Sequence, residues 1–133
     1  MGGAILVVDD DTSIRETLRE FLAAQGYEVR SAGDGAWALD VIRRGFVPDL
    51  ILLDLMMPVM SGWEFLLEAE EDPLLRRIPI VVVSAMPAPV AEPGSEGGVK
   101  ACVTKPFQLD EVLGLIARWG GGPASVPPQP APS

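Results

Sequence analysis

The sequence predicts an α/β fold: a doubly wound, five-stranded parallel sheet with helices on both faces. Unbroken Val/Ile/Leu runs, the mark of strands buried on both faces, recur along the chain and alternate five times with helix-like segments. Such alternation implies right-handed crossovers and therefore parallel strands. The strand ends add a third observation. Ile5 to Val8 runs directly into Asp9, Asp10 and Asp11, and Leu50 to Leu53 runs into Asp54. In open α/β sheets the carboxyl ends of the strands are where ligands sit.

The elements follow in order. Ile5 to Val8 is the first strand. Ile14, Thr17, Leu18, Phe21 and Leu22 then form the i, i+3, i+4, i+7, i+8 stripe of a helix lying on a core. Asp11 or Thr12 can cap its start, and Gly26 stands where a left-handed terminator belongs. Tyr27 to Ala32 is a second, more polar strand, expected at an edge. Gly33-Asp34-Gly35 is a turn, and Ala36 to Arg44 a second helix with Ala38, Leu39 and Ile42 inward, closed by Gly45. Asp49 to Leu53 is the third and most apolar strand. Ser61-Gly62-Trp63-Glu64 has the form of a capping box and opens a third helix that ends near Glu71, before Pro73. Ile78 to Val83 is a fourth strand, ending on Ser84. Ala101 to Val103 is a short fifth strand, and Leu109 to Trp119 a last helix with Leu109, Val112, Leu113 and Ile116 in register.

Two stretches break the rhythm. Residues 87–98 contain Pro87, Pro89, Pro93, Gly94, Gly97 and Gly98. A proline inside a helix costs about 3 kcal/mol, so the helix due there is expected to be short or missing. Residues 120–133 are Gly/Pro-rich without a charged side chain. They are expected to be a disordered or polyproline-like tail or linker, leaving residues 1–119 as one domain.

Composition excludes several classes. Ten Lys+Arg against 19 Asp+Glu give a net charge of −9, which argues against nucleic acid or an anionic membrane as the partner of this chain. The absence of histidine removes histidine metal sites, histidine-assisted triads and self-phosphorylation on histidine. A single cysteine, Cys102, excludes an internal disulfide framework and suits a reducing compartment. With no basic leader and no long apolar run, a cytoplasmic protein is expected. Trp37, Trp63 and Trp119 are expected to be half-buried packing residues.

The acids carry the chemistry. Carboxylates crowded at one sheet rim repel, at about 4 kcal/mol per pair for ~4 Å separation and an effective dielectric of ~20. A divalent cation relieves that repulsion, and an all-oxygen donor set suits Mg²⁺.

Ile-Leu-Val-Val-Asp-Asp-Asp (5–11), Leu-Ile-Leu-Leu-Asp-Leu-Met-Met-Pro-x-Met-x-Gly (50–62), Ile-Val-Val-Val-Ser-Ala (80–85) and Thr-Lys-Pro-Phe (104–107) stand in one order. From residue 4 to about 119 the chain resembles the response-regulator receiver domain. The resemblance implies the strand order 2-1-3-4-5. It implies phosphoryl transfer to Asp54 from a histidine kinase or a histidine phosphotransfer protein. Mg²⁺ would lie between Asp10, Asp54 and the Met56 carbonyl, with Asp9 holding a metal-bound water. Lys105 and Ser84 would meet phosphoryl oxygens, helped by the backbone N–H of Ala85. Asp11 is read as a cap, and the Lys105–Pro106 peptide as cis.

Two departures concern output. The family carries an aromatic residue where this chain has Cys102, and a full helix where it has the Pro/Gly stretch. Phosphorylation with an altered or absent output switch is therefore expected, acting on a downstream protein target or a fused domain. One alternative is a receiver-like interaction domain that is never phosphorylated. Another is a haloacid-dehalogenase-like phosphatase, but its D-x-D-x-T/V motif meets Ser13 at the last position and the chain has no cap domain.

Overall fold

Period-two alternation in the strands distributes the apolar side chains between two cores. The computed structural model describes residues 3–86, 88–90 and 96–120. Its strands are β1 (Ala4–Val8), β2 (Glu28–Ala32), β3 (Leu50–Leu53), β4 (Pro79–Ser84) and β5 (Gly98–Thr104). Its helices are α1 (Thr12–Ala24), α2 (Gly35–Arg43), α3 (Gly62–Glu71) and α4 (Leu109–Trp119), with a 3₁₀ turn at Leu75–Arg77. The five strands form one parallel sheet in the order β2-β1-β3-β4-β5. Leu6, Val8, Ile51, Leu53, Ile80 and Val82 face α2 and α3, where they meet Ala38, Leu39, Ile42, Phe65 and Ala69. Ile5, Val7, Leu50, Leu52, Val81 and Val83 face α1 and α4, against Leu18, Leu22, Val112 and Ile116.

The helix ends follow the expected chemistry. Asp11 caps α1, its carboxylate accepting from the Ile14 N–H. Gly26, just past that helix, has φ = 97°, a conformation glycine takes without a Cβ penalty. Asp34, expected in a turn, caps α2 by accepting from the Trp37 N–H at 2.8 Å, so that helix begins one residue early. Ser61 and Glu64 form the expected capping box of α3. β2 lies at the sheet edge and shows the alternating burial that position requires.

The fifth strand departs from expectation. It starts at Gly98, three residues before the expected Ala101. Ile80 pairs with Val99 while Val81 pairs with Ala101, so the register shifts by one residue at Lys100. That bulge turns the strand over: Val99 points into the α2/α3 core and Val103 into the α1/α4 core, although strict alternation puts them on one face. Gly97, expected in a loop, must be glycine, because a Cβ there would stand 2.2 Å from the Arg76 carbonyl oxygen. Among the described residues no helix lies between β4 and β5. The remainder of that expectation, at 87 and 91–95, and the expected tail from 121 onward lie outside the described residues. No helix among the described residues is long and apolar enough to cross a membrane.

The tryptophans are half-buried, as expected, Trp37 being the most exposed of the three at 48%. Trp37 lies against Arg15, and Trp119 against Lys100 and Arg118. A cation over the ring face lets a large aromatic settle at the surface without a full core contact.

Candidate functional site

β1 and β3 pair in register up to Val8 and Leu53, so the next residues, Asp9 and Asp54, leave the sheet side by side. β4 and β5 pair up to Ser84 and Thr104, which puts Lys105 at the same rim. Asp9, Asp54 and Ser84 are the buried polar residues among those described, and Asp54 is only 4% exposed. Charged groups are rarely buried so fully unless paired. The partner is Lys105, whose Nζ donates to Asp9 Oδ2 at 2.8 Å and to Asp54 Oδ2 at 3.2 Å. No buried side-chain nitrogen or oxygen among the described residues lacks a partner.

Each acid is fixed by its backbone surroundings. The Asp9 N–H donates to the Ala32 carbonyl, and Asp9 Oδ1 accepts from the Asp11 N–H at 2.9 Å. The Asp54 N–H donates to the Val8 carbonyl, and Asp54 Oδ1 accepts from the Met56 N–H at 3.2 Å. Asp10 is exposed, yet carboxylate oxygens of Asp9, Asp10 and Asp54 lie within 4.8 Å of one another. Asp11 turns away to its capping role. Ser84 Oγ accepts from the Met86 N–H at 3.3 Å, and the Ser84 carbonyl accepts from the Lys105 N–H at 3.0 Å. The Lys105–Pro106 peptide is cis, as the resemblance implied.

Burial pushes the Asp9 carboxyl above 3.8, opposed by Lys105 and the Asp11 N–H. Burial draws Lys105 down, but Asp9 first and Asp54 second outweigh it and hold the ammonium above 10.5. The two shifts pull in opposite senses on one pair. The 2.8 Å contact at a site where both charges find partners favours the charged pair. Tyr27 is likewise raised above 10.0 by burial. Lys105, with its folded pKa raised, stabilises fully below 10.5, and that contribution fades as pH climbs through the folded value. Tyr27 adds the same sign, since the unfolded chain ionises first once pH passes 10.0. Melting temperature should therefore fall as pH rises past 10.0, and in Tyr27→Phe the fall should begin at higher pH; a flat alkaline limb contradicts both assignments.

Gly62 sets how closely α3 approaches Asp54. A Cβ at this position would lie 2.3 Å from the Asp54 carbonyl oxygen and 2.6 Å from Leu55 Cα. The Gly62 N–H also donates to the Leu55 carbonyl at 3.0 Å. Gly62→Ala should lower stability by about 3 kcal/mol, the upper range for overpacking, because the clash is with backbone. Urea unfolding measures it, and a loss of only a few tenths would contradict the close approach.

Sequence reasoning missed three contacts. Arg15 Nη1 donates to the Asp9 carbonyl at 2.7 Å, its guanidinium lies over Trp37, and Met86 holds Ser84. Neither Arg15 contact leaves a local pattern, since one reaches a backbone carbonyl six residues back and the other a ring on the next helix, while the Ser84 contact is a two-residue turn open to any residue that has a backbone N–H at 86. Cys102 is half-buried, and its thiol donates to the Ala88 carbonyl at 3.1 Å.

A profile of the response regulator receiver domain matches residues 5–117. The chain is 40% identical over 119 residues to the response regulator PleD of Caulobacter vibrioides, covering 89% of this chain and 25% of that protein. It is 42% identical over 113 residues to the response regulator MprA of a Mycobacterium species, covering 82% of this chain and 46% of that protein. It thus spans a quarter to a half of these relatives. Among solved structures, the chemotaxis response regulator CheY4 of Vibrio cholerae superposes with a TM-score of 0.76 at 32% identity, over 89% of this chain and 98% of that one. The response regulator TrrA of Thermotoga maritima, in complex with Mg²⁺ and BeF, gives 0.73 at 32% identity, over 88% and 98%.

Proposed function

The chain belongs to the response regulator receiver domain family of two-component systems, and on that premise we propose that residues 1–119 take a phosphoryl group onto Asp54 from a histidine kinase or a histidine phosphotransfer protein. The observation that carries this reading is the buried Asp54 carboxylate, in register with Asp9 and sharing the Lys105 ammonium with it.

The residues present fit Mg²⁺. The donor set is all oxygen, built around three carboxylates, and the Lys105 ammonium already serves two of the acids as a cation. Asp10, Asp54 and the Met56 carbonyl would hold the ion, with Asp9 acting through water. Bound there, the ion neutralises charge on the acids and the phosphoryl oxygens.

The chain's own groups do the rest. An Asp54 carboxylate oxygen attacks phosphorus in line; the new O–P bond forms as the N–P bond to the donor imidazole breaks, and the imidazole leaves with the bonding pair and takes up a proton. Lys105 pairs with one phosphoryl oxygen as a compact charge. Ser84 donates its hydroxyl to another, a capacity that accepting from the Met86 N–H leaves free, and the Ala85 N–H assists.

Output is altered. Where the family places an aromatic ring, this chain has a thiol tied to the Ala88 backbone, and a small thiol cannot signal by filling a large pocket. The domain acts in the cytoplasm on a protein target or a fused domain. Nucleic acid and membrane play no part through this domain.

Incubation with acetyl phosphate and Mg²⁺ followed by intact-mass analysis tests the chemistry. One added phosphoryl group, absent with a chelator and removed by hydroxylamine, is the expected result. An unchanged mass would instead favour an interaction domain that is never phosphorylated.

A further inference from the structure

Arg15 lies in the first half of α1, and no step proposed above uses it. Its Nη1 donates to the Asp9 carbonyl at 2.7 Å, a short, charge-assisted bond. That carbonyl belongs to the peptide joining Asp9 to Asp10. Holding it fixes the plane of the peptide and so the direction in which Asp10 leaves the strand. The guanidinium is itself held, with its Cζ 5.7 Å from the centroid of the Trp37 ring. Trp37 is set by the capped start of α2. The turn after β2 packs against both: a Cβ on Gly33 would come within 3.2 Å of the Trp37 ring and 3.3 Å of Arg15 Nη1. The Arg15 guanidinium that grips the carbonyl is thus enclosed by α2 and the turn after β2, neither of which carries a site acid.

We propose that Arg15, held over Trp37, is a positioning residue for the metal-binding acids, locking the Asp9–Asp10 peptide so that both carboxylates face one cation. This rests on the magnesium reading above. A charge argument alone has the opposite sign. A guanidinium near a cation site repels the ion, so removing it would tighten binding. Lys105 and Asp54 are the charges acting on the Asp9 carboxyl, whereas Arg15 grips the carbonyl. Partners that orient a ligand from behind typically set metal affinity by 10- to 100-fold.

The sign of the change in magnesium affinity decides the matter. Mg²⁺ is titrated by calorimetry into the full chain, with no phosphodonor, and unfolding is followed with and without the ion. Arg15→Met should weaken Mg²⁺ binding about tenfold although it removes a positive charge. Arg15→Lys, which keeps a donor and the charge but loses the guanidinium over the Trp37 ring, should recover part of that loss. Trp37→Leu should weaken binding by a smaller factor and carries the test should Arg15→Met fail to fold. Unchanged or tighter binding in the variants, beside a wild-type chain that binds Mg²⁺, overturns this inference and leaves the proposed function standing. A wild-type chain that binds no Mg²⁺ overturns the magnesium reading and this inference with it.

Discussion

Asp54→Ala should gain no mass with acetyl phosphate and Mg²⁺, a loss of at least about 10³-fold in a reaction that depends on the nucleophile. The neighbouring acids are poor substitutes. Asp9 spends one oxygen on the Asp11 N–H and the other on Lys105, while Asp10 is exposed and the lysine's charge is directed at Asp9 and Asp54. The fold should survive, because Asp54→Ala also removes a buried charge that repels Asp9. Melting temperature should therefore hold or rise while labelling vanishes. Fragment-mass analysis that finds the phosphoryl group on Asp9 or Asp10, in the wild type or the variant, would move the nucleophile elsewhere.

Lys105→Met should slow phosphoryl uptake by about 10²-fold, the usual loss for one preorganised electrostatic partner. Mg²⁺ binding should tighten in the same variant, since the ammonium no longer competes for Asp9 and Asp54. Without the ion the variant should lose about 3 kcal/mol, because two buried acids are left without their cation; the lysine is 20% exposed, which keeps the loss at the lower end. Added Mg²⁺ should restore the melting temperature. Lys105→Met and Arg15→Met each delete one positive charge near the same acids, yet are expected to change metal affinity in opposite directions. Lys105 occupies the carboxylates, and Arg15 aims them. Wild-type labelling rates in Lys105→Met would remove the lysine from the phosphoryl site.

Much of this was legible in the residues because it depends on period and on chain ends. Unbroken apolar runs fix which segments are buried strands. Helical stripes at Leu18 and Leu22, and at Val112 and Ile116, fix which helix faces meet the sheet. Ser61 with Glu64 announces the start of α3 through local hydrogen bonds alone. Runs that stop on acids put Asp9 and Asp54 at a common rim once the strands are parallel. The fifth strand was legible only in part, because the bulge at Lys100 breaks the alternation by which a strand is recognised.

The sequence by itself determined the parallel sheet, the two-sided core and the acids at its rim, since each is set by side-chain periodicity and by where an apolar run ends. Tertiary structure alone decided the rest: that Lys105 spans Asp9 and Asp54, that Gly62 stands against the Asp54 carbonyl, and that Arg15 reaches the Asp9 carbonyl from a platform on Trp37. Those contacts join segments far apart in the chain or link a side chain to a backbone group. Their distances depend on register and helix placement, and no local pattern encodes them.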